Sequence, residues 1–312
     1  MNRQERIQLL AERTTVERLL AEVPPEDVID RWSLESRIWS IDAELAAAGP
    51  PGREPATARL TFAGPPVVDR HGISAEFAAK AMTRFTDAVA KVAAGLRGPL
   101  AAMGPVPNRD EAQLLITGKA VGSFGFELEE RLGGPTLLED ETDVSQAIGL
   151  TSKLLEGTLG TDDDLADSVL AVEPRAVVAV REFLNVLLAN GATCPLRFKD
   201  KEFRFRDVQQ VKLGARRLEQ DNLQREDARL VGEFVGVLPK GRAFEFKLAE
   251  SAEIVRGRVG STITDPDIIN NHLHQKTTID VLSTRVGAGK PRYVLLELPA
   301  WDGGSPPTDP GA

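Results

Sequence analysis

The sequence predicts an α+β protein with three parts. These are an N-terminal helical hairpin, a small antiparallel sheet with covering helices, and a C-terminal five-stranded OB-like or SH3-like β-barrel. Three observations predict it. Apolar residues in the first 48 positions recur at helical spacing. Strand-like and helix-like patterns then alternate through the middle of the chain. From Leu230 onward period-two alternation dominates, broken by short turns.

In the first helix Ile7, Leu10, Leu19 and Leu20 are read as the apolar seam. Pro24 and Pro25 interrupt it, and Pro suits the first turn of the helix that follows. In that second helix Ile29, Trp32, Trp39 and Ala43 recur at three-, seven- and four-residue steps, and Leu34, Ile38, Ile41 and Leu45 add a second row. Together they make a stripe wide for a helix lying on a surface. Two antiparallel helices packed together, or a coiled-coil homodimer through residues 1–48, would bury it, and the plainer alternative is that both tryptophans dock the hairpin onto the same chain.

Gly49, Pro50, Pro51, Gly52 and Pro55 mark a linker over residues 49–56. Residues 57–190 are read as an α+β domain. Ala58, Leu60 and Phe62 alternate as in a strand, Ser74 caps a helix to about Ala94, and 113–117 with 123–129 form a hairpin through Gly118 to Gly122. Residues 143–190 are helical. Thr161 with Asp162, Asp163 and Asp164 marks one helix start, Pro174 another, and Asn190-Gly191 an end.

Residues 191–227 are read as a basic hairpin, turning at Lys199 to Glu202, and a connecting helix capped by Asp207. The barrel spans 228–299, with strands near 229–238, 242–249, 253–260, 276–286 and 291–298 and a short helix at 265–272 opened by Asp265 and Pro266. Phe244 and Phe246 share parity with Leu248, which places them in its core. Residues 300–312, rich in Gly, Pro and Ser, are expected to be a disordered tail.

Composition bounds function. Of 312 residues, 42% are hydrophobic and 27% charged, ordinary values for a globular chain. No apolar run reaches the roughly 18–20 residues of a membrane span, and the N-terminus lacks a signal-peptide core, so a cytoplasmic protein without a membrane partner is expected. One cysteine, Cys194, excludes an internal disulfide and, with three histidines, argues against a zinc site. The net charge of −9 is uneven: residues 1–190 carry 19 basic and 30 acidic side chains, residues 191–312 carry 19 and 17. The densest basic stretch holds Arg197, Lys199, Lys201, Arg204, Arg206, Lys212, Arg216 and Arg217, the candidate nucleic-acid-binding residues.

Catalytic motifs are missing or incomplete. In Gly118 to Ser123 the lysine follows the first glycine, whereas a phosphate loop needs it after the second and before a helix. There is no Gly-x-Ser-x-Gly elbow. His272 and His274 are two apart, a poor spacing for a helical ligand pair, and are read as surface groups straddling a helix end. Glu245-Phe246-Lys247 puts a carboxylate and an ammonium on one strand face. With Asp227 or Glu233 it could hold a divalent cation in the manner of a metal-dependent nuclease.

No catalytic residue, metal ligand or cofactor is nominated. The expectation is a non-enzymatic interaction or scaffold protein. Its hairpin, led by Ile29, Trp32 and Trp39, binds another protein or a second copy, and its barrel binds a further protein or peptide. A nucleic-acid-associated factor using residues 197–217 is the alternative, and the nuclease a third reading.

Overall fold

Helix α1 (Arg3–Glu22) and helix α2 (Val28–Ala47) form an antiparallel hairpin. The protein is described by a computed structural model covering residues 3–47, 55–69, 71–120, 124–131, 141–260 and 262–301. Residues 49–54 of the expected linker, 121–122 of the Gly118 to Gly122 turn and 302–312 of the expected tail lie outside these residues. The chain divides into two units, the hairpin and the body from Ala56 onward.

Within the hairpin Arg13 bonds Asp42 at 2.7 Å and Arg37 bonds Glu12 at 2.7 Å, which fixes the helix register. Each exposed pair adds under about 1 kcal/mol. Val16 and fully buried Ile41 carry the packing, helped by half-buried Leu9, Leu20, Leu34, Ile38 and Leu45. The α1 seam therefore differs from the one expected. Leu9, Val16 and Leu20, at seven- and four-residue steps, face inward, whereas Ile7, Leu10 and Leu19 are exposed.

The body opens with β1 (Thr57–Phe62). The short strands β2 (Val67–Val68) and β3 (Gly72–Ile73) pair with each other. Helix α3 (Ala75–Arg97) follows, its first turn closed by the Ser74 hydroxyl, which accepts from the Phe77 N–H. It runs three residues past the expected Ala94. Strands β4 (Leu114–Lys119) and β5 (Phe124–Glu130) form the expected hairpin. Helices α4 (Asp143–Gly157), α5 (Asp162–Leu170) and α6 (Pro174–Ala189) follow, then β6 (Leu196–Phe198), β7 (Lys201–Phe203) and α7 (Val208–Arg217).

The sheet is antiparallel in the order β4-β5-β1-β6-β7. Gly125 is required where β5 crosses β1, because a Cβ there would lie 2.1 Å from the Leu60 carbonyl oxygen. Leu60 and Phe62 of β1 share a core with Phe77, Phe85 and Phe183, and the last two rings meet edge to face at 5.6 Å. Asp87 on α3 is nearly buried between Lys91 (2.7 Å) and Arg109 (2.9 Å). Burial alone would raise its carboxyl, but hydrogen bonds and charge from both cations outweigh this and hold it below the usual aspartate range.

The remaining strands close a barrel: β8 (Leu223–Leu238), β9 (Ala243–Leu248), β10 (Ile254–Val259), β11 (Lys276–Val286) and β12 (Arg292–Leu295). The order is β8-β9-β10-β12-β11, closing on β8, with β10 and β12 parallel and every other pair antiparallel. This is the connectivity of the OB-like barrel; an SH3-like barrel would be antiparallel throughout. The 3₁₀ turn Pro266–His272 lies between its third and fourth strands. Phe234, Phe244 and Phe246 fill the interior, with Phe234 at 5.7 and 5.0 Å from the other two rings. Gly257 makes room for them, since a Cβ there would meet the Phe244 ring at 2.4 Å.

Strand β8 begins at Leu223, six residues before the expected start at 229. Its polar run Gln224 to Asp227 pairs residue by residue with β11, so long-range hydrogen bonding overrides weak local β propensity. The acidic start of α5 ties this barrel down. Asp162 and Asp163 accept hydrogen bonds from the Ala288 and Lys290 N–H groups of the β11–β12 loop, and Arg292 bonds Asp167 at 2.6 Å.

Candidate functional site

Large apolar side chains are exposed on the hairpin. At 100° per residue, Ile29, Trp32, Ser36, Trp39 and Ala43 centre about 170° from the inward row Leu34, Ile38, Ile41 and Leu45 on α2. The two rows thus occupy nearly opposite faces. α1 covers one of them. On the other, Trp39 is 81% exposed, Ile29 80% and Trp32 70%. Small Ser36 and Ala43 separate the large side chains.

The eight basic candidates fall on β6, β7, α7 and their connections, and they do not act alike. Arg217 is structural. Its Nη1 donates to the carbonyl oxygens of Thr158 (2.8 Å) and Gly160 (2.6 Å), and its Nη2 bonds Asp162 at 2.7 Å. It thereby clasps the α4–α5 turn to α7. Lys199 bonds Glu141 at 2.5 Å. The side chains of Arg197, Lys201, Arg204, Arg206, Lys212 and Arg216 are exposed and make no hydrogen bond or ion pair among the described residues. Carboxylates are interleaved with them. Glu202 stands opposite Arg197 across β6 and β7, and Arg59, the other neighbour of Arg197, is paired with Glu127.

The carboxylate–lysine face of β9 is also occupied by ion pairs. Glu245 bonds Arg256 at 3.0 Å, and Lys247 bonds Glu233 at 3.3 Å. Among the described residues no group of three or more His, Cys, Asp or Glu side chains is placed to hold a metal ion. His272 ends its 3₁₀ turn with its ring stacked on Trp301 at 4.0 Å, and His274 lies two residues beyond with φ of 62°. Cys194 is buried, and desolvation pushes its thiol far above the usual range. Among the described residues no helix is long and apolar enough to cross a membrane.

One feature has no counterpart in the sequence reading. A cavity of about 560 Å³ opens between α4, the β6–β7 turn and the outer face of β10. Arg258 reaches it from the barrel and Lys153 from α4. Nothing local marks either residue, because the cavity is made where segments a hundred residues apart converge. Compared with known proteins, the chain matches no family model, no curated protein and no solved structure.

Proposed function

We propose that the protein is a non-enzymatic interaction protein that docks on a helical partner, a second copy or another protein, through the outer stripe of α2. The observation that carries this reading is the exposure of Trp32, Trp39 and Ile29 on the face of α2 opposite its packed row. Large exposed apolar patches on soluble chains mark interaction sites, and tryptophan is the residue most enriched among those that dominate binding energy. The spacing 29/32/36/39/43 is that of a coiled-coil seam, and Ser36 and Ala43 leave room for a partner's knobs. The barrel would bind a further protein or peptide.

A capture experiment from the native cell tests this. Tagged wild-type chain should retain a partner, itself included, that the Trp32→Ala/Trp39→Ala double variant releases. Retention of nothing by the wild type, or equal retention by both, ends the reading.

A second reading rests on the six exposed basic side chains of residues 197–216 that lack an ion-pair partner among the described residues. A nucleic-acid-associated factor would use them for phosphate contacts, with affinity falling steeply as salt rises. Retardation of single- or double-stranded DNA or RNA at low salt, lost in Arg204→Ala/Arg206→Ala, would support it. No retardation of any of them removes it.

A further inference from the structure

The cavity beside β10 is large, amphipathic and unbalanced in charge. Its volume, about 560 Å³, lies within the range of small-molecule sites, about 300–1,000 Å³. Leu96, Leu150 and Phe198 give it an apolar wall. Four cations and three carboxylates line it, and they are not all paired. Lys199 is taken by Glu141. Glu156 accepts from the Ser152 hydroxyl at 3.1 Å, and Asp200 sits at the β6–β7 turn. Against these two carboxylates stand Lys153, Lys201 and Arg258, whose side chains make no hydrogen bond or ion pair among the described residues, so the lining is net positive by one.

Arg258 is the informative member. It projects from the outer face of β10 into the gap and is half-buried. Burial, and then the charge of Arg242, work against its protonated form. Arg242 itself is satisfied, donating to the carbonyl oxygens of Val259, Gly260 and Ile263. Among the described residues Arg258 has no such acceptor. A guanidinium partly withdrawn from water without a partner is costly, and its planar fork matches a carboxylate, sulfonate or phosphate.

We propose that this cavity binds a small amphipathic organic anion, with its head group on Arg258 flanked by Lys153 and Lys201 and its apolar body against Leu150 and Phe198. The site is independent of the α2 stripe, so either can fail alone.

The probe is 1-anilinonaphthalene-8-sulfonate, titrated by fluorescence into the full chain with decanoate and decanol as competitors. Wild type should show one saturable site from which decanoate displaces the dye and decanol does not. Arg258→Gln should weaken dye binding at least tenfold. Gly149→Leu should abolish it: a Cβ at Gly149 meets only the Phe198 ring, at 3.7 Å, so the added side chain extends into the cavity. Trp32→Ala/Trp39→Ala should leave this site unchanged, which separates it from dye adsorbed on the hairpin. If Gly149→Leu unfolds by circular dichroism, Arg258→Gln decides. Absence of a saturable site, equal displacement by decanoate and decanol, or unaltered affinity in folded Arg258→Gln overturns the proposal.

Discussion

Replacing Arg217 by alanine separates a structural cation from the basic surface around it. The guanidinium is only 15% exposed and serves four acceptors: short bonds to the Thr158 and Gly160 carbonyls, a 3.4 Å contact to that of Gly157, and the Asp162 carboxylate. Bonds from a charged donor contribute about 1.5–3 kcal/mol each when well made. Several factors reduce the sum. Asp162 is more than a third exposed, so its share falls below about 1 kcal/mol. After truncation, water can reach carbonyls at the end of α4. The net loss is about 2–3 kcal/mol, which for a body of this size lowers Tm by about 4–12 °C. Arg197→Ala, exposed and without a bonded partner among the described residues, should cost no more than about 0.5 kcal/mol, a shift under about 2 °C. Differential scanning calorimetry of the two variants is the assay. An Arg217→Ala protein melting within 2 °C of wild type would refute the clasp.

Three further outcomes follow from the packing. Asp87→Asn should lose about 2 kcal/mol at pH 7. Because the folded carboxyl titrates below its unfolded value, its stabilisation is present above about pH 4 and lost as pH falls through the lower, folded value. The gap between Asp87→Asn and wild type in urea melts should therefore close toward pH 3, and a constant gap contradicts the assignment. Phe234→Ala, which empties the centre of the barrel, should cost about 3–5 kcal/mol and deprotect the β9 amides to hydrogen exchange; a loss under 1 kcal/mol argues against that core. Cys194, buried with its thiol pushed up by desolvation, should resist iodoacetamide at pH 8 in the folded state and react fully in urea. Rapid stoichiometric alkylation of folded protein would show that the segment leading into β6 opens.

Much of this architecture was legible because local signals agreed with tertiary ones. Ser74, Thr161 and Asp207 cap the helices they were expected to cap, each accepting a backbone N–H three residues on. The alternation Phe244-Phe246 gave the barrel core correctly because a closed barrel has one interior parity. The strand count could not decide between two barrels, since the parallel β10–β12 pairing depends on register between segments far apart in sequence. The α1 seam was only partly placed: Leu20 faces inward as expected, but Ile7, Leu10 and Leu19 are as apolar as the inward Leu9 and Val16, and periodicity alone did not separate the two rows. Arg217 looked like one more cation in a basic run, because the carbonyls it serves lie 57–60 residues away. Lys153 and Arg258 escaped notice for the same reason, while Lys199 and Lys201 stood out only as members of the basic run.

The α2 stripe is tested most directly by molar mass in solution. Multi-angle light scattering of the wild-type chain, alone and mixed with the partner recovered in the capture experiment, is compared with Trp32→Asp/Trp39→Asp. The wild type should form an assembly heavier than one chain and the variant a folded 33.8 kDa monomer, because two carboxylates cannot be buried unpaired in an apolar seam. Equal masses for both proteins, in both settings, would contradict it.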